Sequence, residues 1–194
     1  MKAAWAGRRA VVARLLLCSA AALPAISQVT SPAFPDITGE TLSGQSVSLP
    51  SAATGRLAIL CIGFSHGSQT HVKKWAEESR KRFDKDSIPV YTVAVLEDAP
   101  RFVRPMAVRG MKSSTPTDQR DRFIVVYSKE NELKQAVQFT NSAESYVVLL
   151  DAAGHVAWRH AGEVSEAAVR DLSSRMRTLQ RAAHGKNDYL IRRS

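Results

Sequence analysis

The chain has 194 residues, a formal net charge of +9, 44% hydrophobic and 23% charged residues; these values suit one globular domain with short appendages and exclude a disordered polyelectrolyte. Lys2, Arg8, Arg9 and Arg14 sit in a leading segment without any acid, so residues 31–194 carry only +5. Further basic residues, Arg181, Lys186, Arg192 and Arg193, lie beyond the last apolar-periodic stretch, and the mildly basic domain lacks the clustered cations and stacking aromatics of a nucleic-acid binder.

The first residues join a basic start to an apolar run from Leu15 to Ile26, closed by Ala25-Ile-Ser27, the small-x-small pattern of a signal-peptide cleavage site. The run is short for a bilayer span. The expected organisation is a signal peptide over residues 1–27, a domain over 28–180 and a basic tail over 181–194, with export to the periplasm or envelope. Other readings stay open: a twin-arginine signal at Arg8-Arg9, a lipobox at Cys18 despite Leu17 before it, and a mitochondrial presequence, since no acid precedes Asp36. Removal of the leading segment takes Cys18 with it and leaves Cys61, which alone forms no intrachain disulfide.

Residues 34–50, FPDITGETLSGQSVSLP, read as two short extended stretches about a Leu-Ser-Gly turn. Leu57 to Phe64 is a continuous apolar run, the pattern of a strand covered on both faces. From Thr70 to Phe83 the positions Val72, Trp75, Ala76 and Phe83 recur at helical spacing. Ile88 to Val95 is a second buried strand. Residues 97–122, with Pro100, Pro105 and Pro116, predict one short helix around Phe102 to Val108. Phe123 to Tyr127 is a third strand, after which Ser128 is expected to cap a helix presenting Leu133, Ala136 and Val137. Tyr146–Leu150 and His155–His160 flank a turn at Asp151–Gly154 and form a hairpin. A last helix runs from about Ser165 to Leu179, with Val169, Leu172, Met176 and Leu179 inward.

The order β-α-β-α-β-α-β-β-α predicts an α/β fold with a mixed, largely parallel sheet and helices on both faces, a three-layer α/β/α sandwich. This pattern resembles the redoxin and peroxiredoxin branch of the thioredoxin-like superfamily over about residues 34–180. That resemblance implies a reactive cysteine where the first long strand meets its helix, a place where the helix N-terminus stabilises a thiolate. Here the junction reads SHGSQTH, Ser65 to His71, without cysteine. The superfamily's cis-proline position falls near Ser145, and no proline follows Val126. A serine hydroxyl neither ionises like a thiol nor forms a disulfide. The chain is more similar to the cysteine-free mitochondrial ATP synthase assembly factor family. It shares Phe34-Pro35 with a Leu42-x-Gly44 turn, Trp75 on the first helix, and Tyr146, Leu149, Asp151, Trp158 and Gly162 in the closing hairpin. The resemblance implies an assembly or chaperone role for a membrane complex, with a protein partner such as a subunit of that complex; no cofactor is expected.

Several residues invite chemistry. Cys61, between Leu60 and Ile62, reads as a small core residue, the alternative being a redox-active thiol in a thiol-dependent oxidoreductase. His66, His71, His155 and His160 lack the cysteine or carboxylate cluster of a metal site and read as loop histidines. A hydrolase triad of Ser65, His66 and Asp84 or Asp86 lacks the nucleophile elbow. The helix-start segment Ser65, His66, Ser68, Gln69 and Thr70, with Ser145, is the candidate vestigial site, where free amides would dock a peptide or anion. Pro100 to Lys112 interleaves Arg101, Arg104, Arg109 and Lys112 with Phe102, Val103, Met106, Val108 and Met111. This is the candidate partner surface, suited to a protein or to peripheral contact with anionic lipid.

Overall fold

In the computed structural model, residues 31–83 and 88–191 are described, the side chains of the last helix only as far as Ala183. The expected signal peptide, Asp84 and Asp86 therefore lie outside the described residues. The elements are β1 (Ile37–Thr41), β2 (Ser46–Leu49), β3 (Ala58–Gly63), α1 (Gln69–Phe83), β4 (Val90–Val95), α2 (Arg104–Ser114), β5 (Phe123–Val126), α3 (Glu130–Val137), β6 (Ser145–Leu150), β7 (Val156–Ala161) and α4 (Glu166–Ile191).

One seven-stranded sheet runs in the order β2-β1-β5-β4-β3-β6-β7. β3, β4 and β5 pair in parallel at its centre. The flanking pairings, β1 with β2 and β5, and β6 with β3 and β7, are antiparallel. The sheet is thus mixed as expected, but its parallel part is confined to the centre. The N-terminal hairpin, which stands outside the expected strand order, joins the sheet through β5 and adds two antiparallel pairings that helical alternation does not reveal.

Alternation along the strands sorts the core into layers. Ile59 and Cys61 of β3 and Val147 and Leu149 of β6 pack with Trp75 and Ala76 of α1 and Val169, Leu172 and Met176 of α4. Leu60, Ile62, Val148 and Leu150 face the other way, with Leu133 and Val137 of α3. β3 is buried from Ala58 to Ile62, as its unbroken apolar run requires. α2 covers β5 beside the first layer, through Met111 against Leu42 and Val125.

Three local expectations are corrected. α2 begins at Arg104, with Pro105 in its first turn, and runs to Ser114, so Phe102 lies in the preceding turn; proline is favoured in a first helical turn, and Thr115-Pro116 ends the helix. Ser128 does not cap α3: the residue before the helix is Lys129, in the left-handed region at φ 62°. The free amide of Glu130 is met from afar, by the Glu97 carboxylate at 2.6 Å. α4 continues to Ile191, past Leu179, because no proline interrupts its helix-forming run.

The outer margins of the sheet are both modified. β2 has four residues and leads into Pro50. Beside β7, the Val156 amide donates to Pro32 O at 2.8 Å. Arg175 Nε donates to Ala157 O at 3.0 Å, next to a register shift between Leu149 and Leu150.

Gly39 of β1 lies hard against β5: a Cβ there would sit 2.5 Å from Ile124 Cγ2 and 2.7 Å from the Val125 carbonyl oxygen. Gly39→Ala should therefore lower the unfolding free energy by about 2 kcal/mol, the scale of an overpacked core. Urea titration of the two proteins checks this; equal midpoints would show that the hairpin shifts without cost.

Candidate functional site

β3 ends at Gly63, and the chain turns back over the strand end before entering α1. A Cβ on Gly63 would lie 2.7 Å from Ser68 Oγ and 3.0 Å from Val72 Cγ2, so glycine is what lets Ser68 close on the strand. Ser68 is fully buried, its hydroxyl donating to Ser65 O at 2.9 Å and its carbonyl accepting Val72 N at 2.9 Å. Ser65 Oγ donates to Ser142 O at 2.6 Å, across to the loop before β6. The predicted residues Ser65, Ser68 and Ser145 do come together at this mouth, because Gly63 and Ser145 are register partners. His66, Gln69 and Thr70 stand exposed on its rim.

Ser145 is also fully buried, and its hydroxyl donates to Gly162 O at 2.7 Å. The same carbonyl accepts Trp75 Nε1 at 3.0 Å, while Gly162 N donates to Ser145 O at 2.9 Å. Gly162 has φ +103°, a backbone that favours glycine. The loop before β6 is held by Tyr146, whose buried hydroxyl accepts the amides of Thr140 at 2.9 Å and Asn141 at 2.8 Å and donates to Asn141 O at 2.9 Å. Thr140 Oγ1 lies a further 3.1 Å from the same oxygen, so the phenol has more partners than its two acceptor sites and one proton need. Phe64 and Phe139 pack around its ring at 5.5 and 5.6 Å.

The mouth therefore differs from a bare helix start. Gln69 N donates to His66 O at 3.3 Å, so one amide expected to be open is occupied within the turn. Both buried serines give their protons to backbone carbonyls, and Ser65 Oγ is bonded to Ser142 O, an arrangement without a base to activate a nucleophile.

The histidines have separate settings. His71 Nδ1 lies 3.5 Å from Glu163 Oε1, within ion-pair reach but without hydrogen-bond geometry. His160 stacks on Trp158 with ring centroids 5.9 Å apart and an interplanar angle of 6°. His155 Nδ1 is 3.5 Å from Asp151 Oδ2. Among the described residues, no group of three or more His, Cys, Asp or Glu side chains is placed to hold a metal ion.

Cys61 is sealed between the sheet and α1 with no exposed surface, and Thr92 and Val147 are its register partners. Burial pushes its thiol up to about 12, against a smaller opposing effect of the Arg80 guanidinium. Arg80 is itself anchored, donating to Gln119 Oε1 at 2.9 Å and Thr92 Oγ1 at 3.2 Å.

On the candidate partner surface, Phe102 is 83% and Met106 73% exposed, and Arg101 and Arg109 are exposed beside them. Arg104 departs from expectation. It is half-buried, donates to Ala99 O at 3.0 Å and Glu97 O at 2.8 Å, and lies 5.4 Å over the Tyr127 ring, so it is part of the scaffold. With Arg101, Val108, Arg109, Lys112 and Tyr127 it lines a shallow cavity of about 750 Å³.

Sequence reasoning missed the Tyr146 clamp and the shared Gly162 carbonyl. A tyrosine in a buried strand and a glycine just after a strand were the available signals, but the bonding partners are set only by strand pairing.

Three outcomes follow from this geometry. Native protein should leave Cys61 unmodified by a thiol reagent such as dithionitrobenzoate, with full reaction only after denaturation. Because the folded thiol titrates near 12 against an ordinary 9.0, its contribution is intact below pH 9 and declines as pH rises towards 12, by about 1.4 kcal/mol per pH unit. Wild type should lose stability across that window more steeply than Cys61→Ala, as read from denaturant midpoints. Tyr146→Phe, which strands two amides and a carbonyl, should cost about 1–3 kcal/mol; a midpoint equal to wild type would show that water replaces the hydroxyl.

Comparison with known proteins agrees with the fold. BsSco, a member of the Sco family of cytochrome c oxidase assembly proteins, superposes with a TM-score of 0.53 at 12% identity, over 76% of this chain and 95% of that one. A protein described as a thiol:disulfide interchange protein DsbE from Chlorobium tepidum gives 0.52 at 16% identity, over 75% and 96%. The exposed lipoprotein thioredoxin Etrx1 from Streptococcus pneumoniae strain TIGR4 gives 0.51 at 13%, over 71% and 97%. At these identities the likeness shows a thioredoxin-like fold. No curated protein matches the sequence. The profile of the ATP10 protein family matches residues 22–179, most of the chain. The chain thus belongs to the ATP10 protein family and builds it on a thioredoxin-like domain.

Proposed function

We propose that this protein is a non-catalytic assembly factor that binds a polypeptide subunit of an envelope membrane complex, the ATP synthase first among candidates, and that it works after export. Family membership supports an assembly role with protein partners. One observation carries the non-catalytic part: the mouth of the fold holds Ser65, Ser68 and Ser145, each bonded to a backbone carbonyl, while Cys61 has no exposed surface. Thiol exchange needs an accessible thiolate, and a buried thiol near 12 supplies almost none at neutral pH. An oxidoreductase working through Cys61 has no observation in its favour.

A polypeptide docking at the mouth would meet the exposed side chains of His66, Gln69 and Thr70, presented by a loop fixed from both sides. Such a pre-organised rim limits the ordering cost of association. No helix among the described residues is long and apolar enough to cross a membrane.

A deletion strain complemented with variants tests this reading. Cys61→Ser should restore assembled, membrane-bound ATPase activity to within about twofold of wild type, since a buried thiol-to-hydroxyl change acts on stability alone. A photocrosslinking residue at Thr70 should capture a subunit of that complex. A folded Cys61→Ser protein that fails to restore assembly would overturn the non-catalytic reading. Fractionation that finds the mature protein in the cytoplasm would overturn export.

A further inference from the structure

The positive charge of the domain is unevenly placed. Residues 31–194 carry +5, and the segment from Ala99 to Thr117 alone contributes four cations and no acid, which leaves the rest nearly neutral. Arg104 is committed to backbone carbonyls and Tyr127. Arg101, Arg109 and Lys112 have no carboxylate within ion-pair distance among the described residues. Between these free cations stand Phe102 and Met106, 83% and 73% exposed, the two large apolar side chains that the described surface leaves most open to water.

The shape and the chemistry select an occupant. The apolar residues project as tips, while the cations line the shallow cavity beside them. Every side chain from Ala99 to Lys112 is apolar or cationic, so the side chains of the stretch supply no neutral hydrogen-bonding group and no acceptor. A protein interface of any size ordinarily carries about one hydrogen bond per 100–200 Å² with a mixed polar rim. An anionic bilayer asks for something simpler: apolar tips that enter the acyl boundary and cations at the depth of the phosphates.

We infer that the turn Arg101–Val103 and the exposed side of α2 form a peripheral docking surface for anionic phospholipid, in which Phe102 and Met106 insert and Arg101, Arg109 and Lys112 contact headgroup phosphates. This stands apart from the assembly reading, since it uses none of the residues of the mouth and holds whatever the client is.

Local insertion is read with an environment-sensitive nitrobenzoxadiazole label at position 106, in full-length Met106→Cys, Cys18→Ser protein, where Cys61 is out of reach of the reagent. A control label sits at Gln135→Cys on α3, across the sheet. Vesicles of equimolar phosphatidylcholine and phosphatidylglycerol should shift the emission at 106 to the blue and leave 135 unchanged. Phosphatidylcholine alone should shift neither. Arg101→Glu with Arg109→Glu should weaken the partition at least tenfold, each cation near an anionic surface contributing about fivefold. Unchanged emission at 106 with anionic vesicles would overturn the proposal and give the surface to a protein partner. An equal shift at 135, or one that survives neutral lipid and charge reversal, would also overturn it, by assigning vesicle binding to the leading segment.

Discussion

The Gly162 carbonyl ties the mouth of the fold: Trp75 Nε1 from α1 and Ser145 Oγ from β6 both donate to it, and Gly162 N returns a bond to Ser145. Three elements that approach from different directions are thereby fixed at one oxygen. Each such bond is worth about 1 kcal/mol net, but a buried partner left without one costs about 1–3 kcal/mol, so the arrangement is much dearer to break than to keep. It also explains Gly162 itself, since a side chain is disfavoured at φ +103° and any other backbone would turn the carbonyl away.

From that tie the character of the mouth follows. In a redox thioredoxin the corresponding space must stay open to admit a disulfide, and the thiol must lie within reach of solvent. Here hydroxyls fill it and bond inward, Ser65 to the loop before β6 and Ser68 to its own turn. Tyr146 holds that loop with three backbone contacts. The fold neighbours share the frame at 12–16% identity, which is what is expected when packing and pairing preserve an architecture and the chemistry at its mouth is free to change.

Much of the frame was readable because burial leaves a direct trace in composition. The apolar run of β3, the helical spacing of Val72, Trp75, Ala76 and Phe83, and the Asp151–Gly154 turn each appear where the residues place them. Two of the failures share a cause: each depended on a distant partner. Glu97, not Ser128, meets the first amide of α3. Arg104, grouped with the free cations by sequence spacing, is drawn inward by Ala99 O, Glu97 O and Tyr127. The start of α2 slipped for a local reason: the expected helix, Phe102 to Val108, ran through Pro105, whose fixed φ and missing amide suit a first turn instead. The candidate mouth was found through an absent cysteine, but its closure rests on Gly162 and Tyr146, whose roles appear only once β6 and β7 are paired.

The margins of the sheet carry a consequence of their own. An unprotected outer strand is a template on which a second molecule can lay down a strand of its own, and from there a stack. On β7 the Val156 amide is already taken by Pro32 and the Ala157 carbonyl by Arg175, beside a shift in register that spoils the straight run of donors and acceptors. On β2 the run is four residues and leads into proline. Neither margin therefore presents a long, straight row of free donors and acceptors to a neighbouring chain.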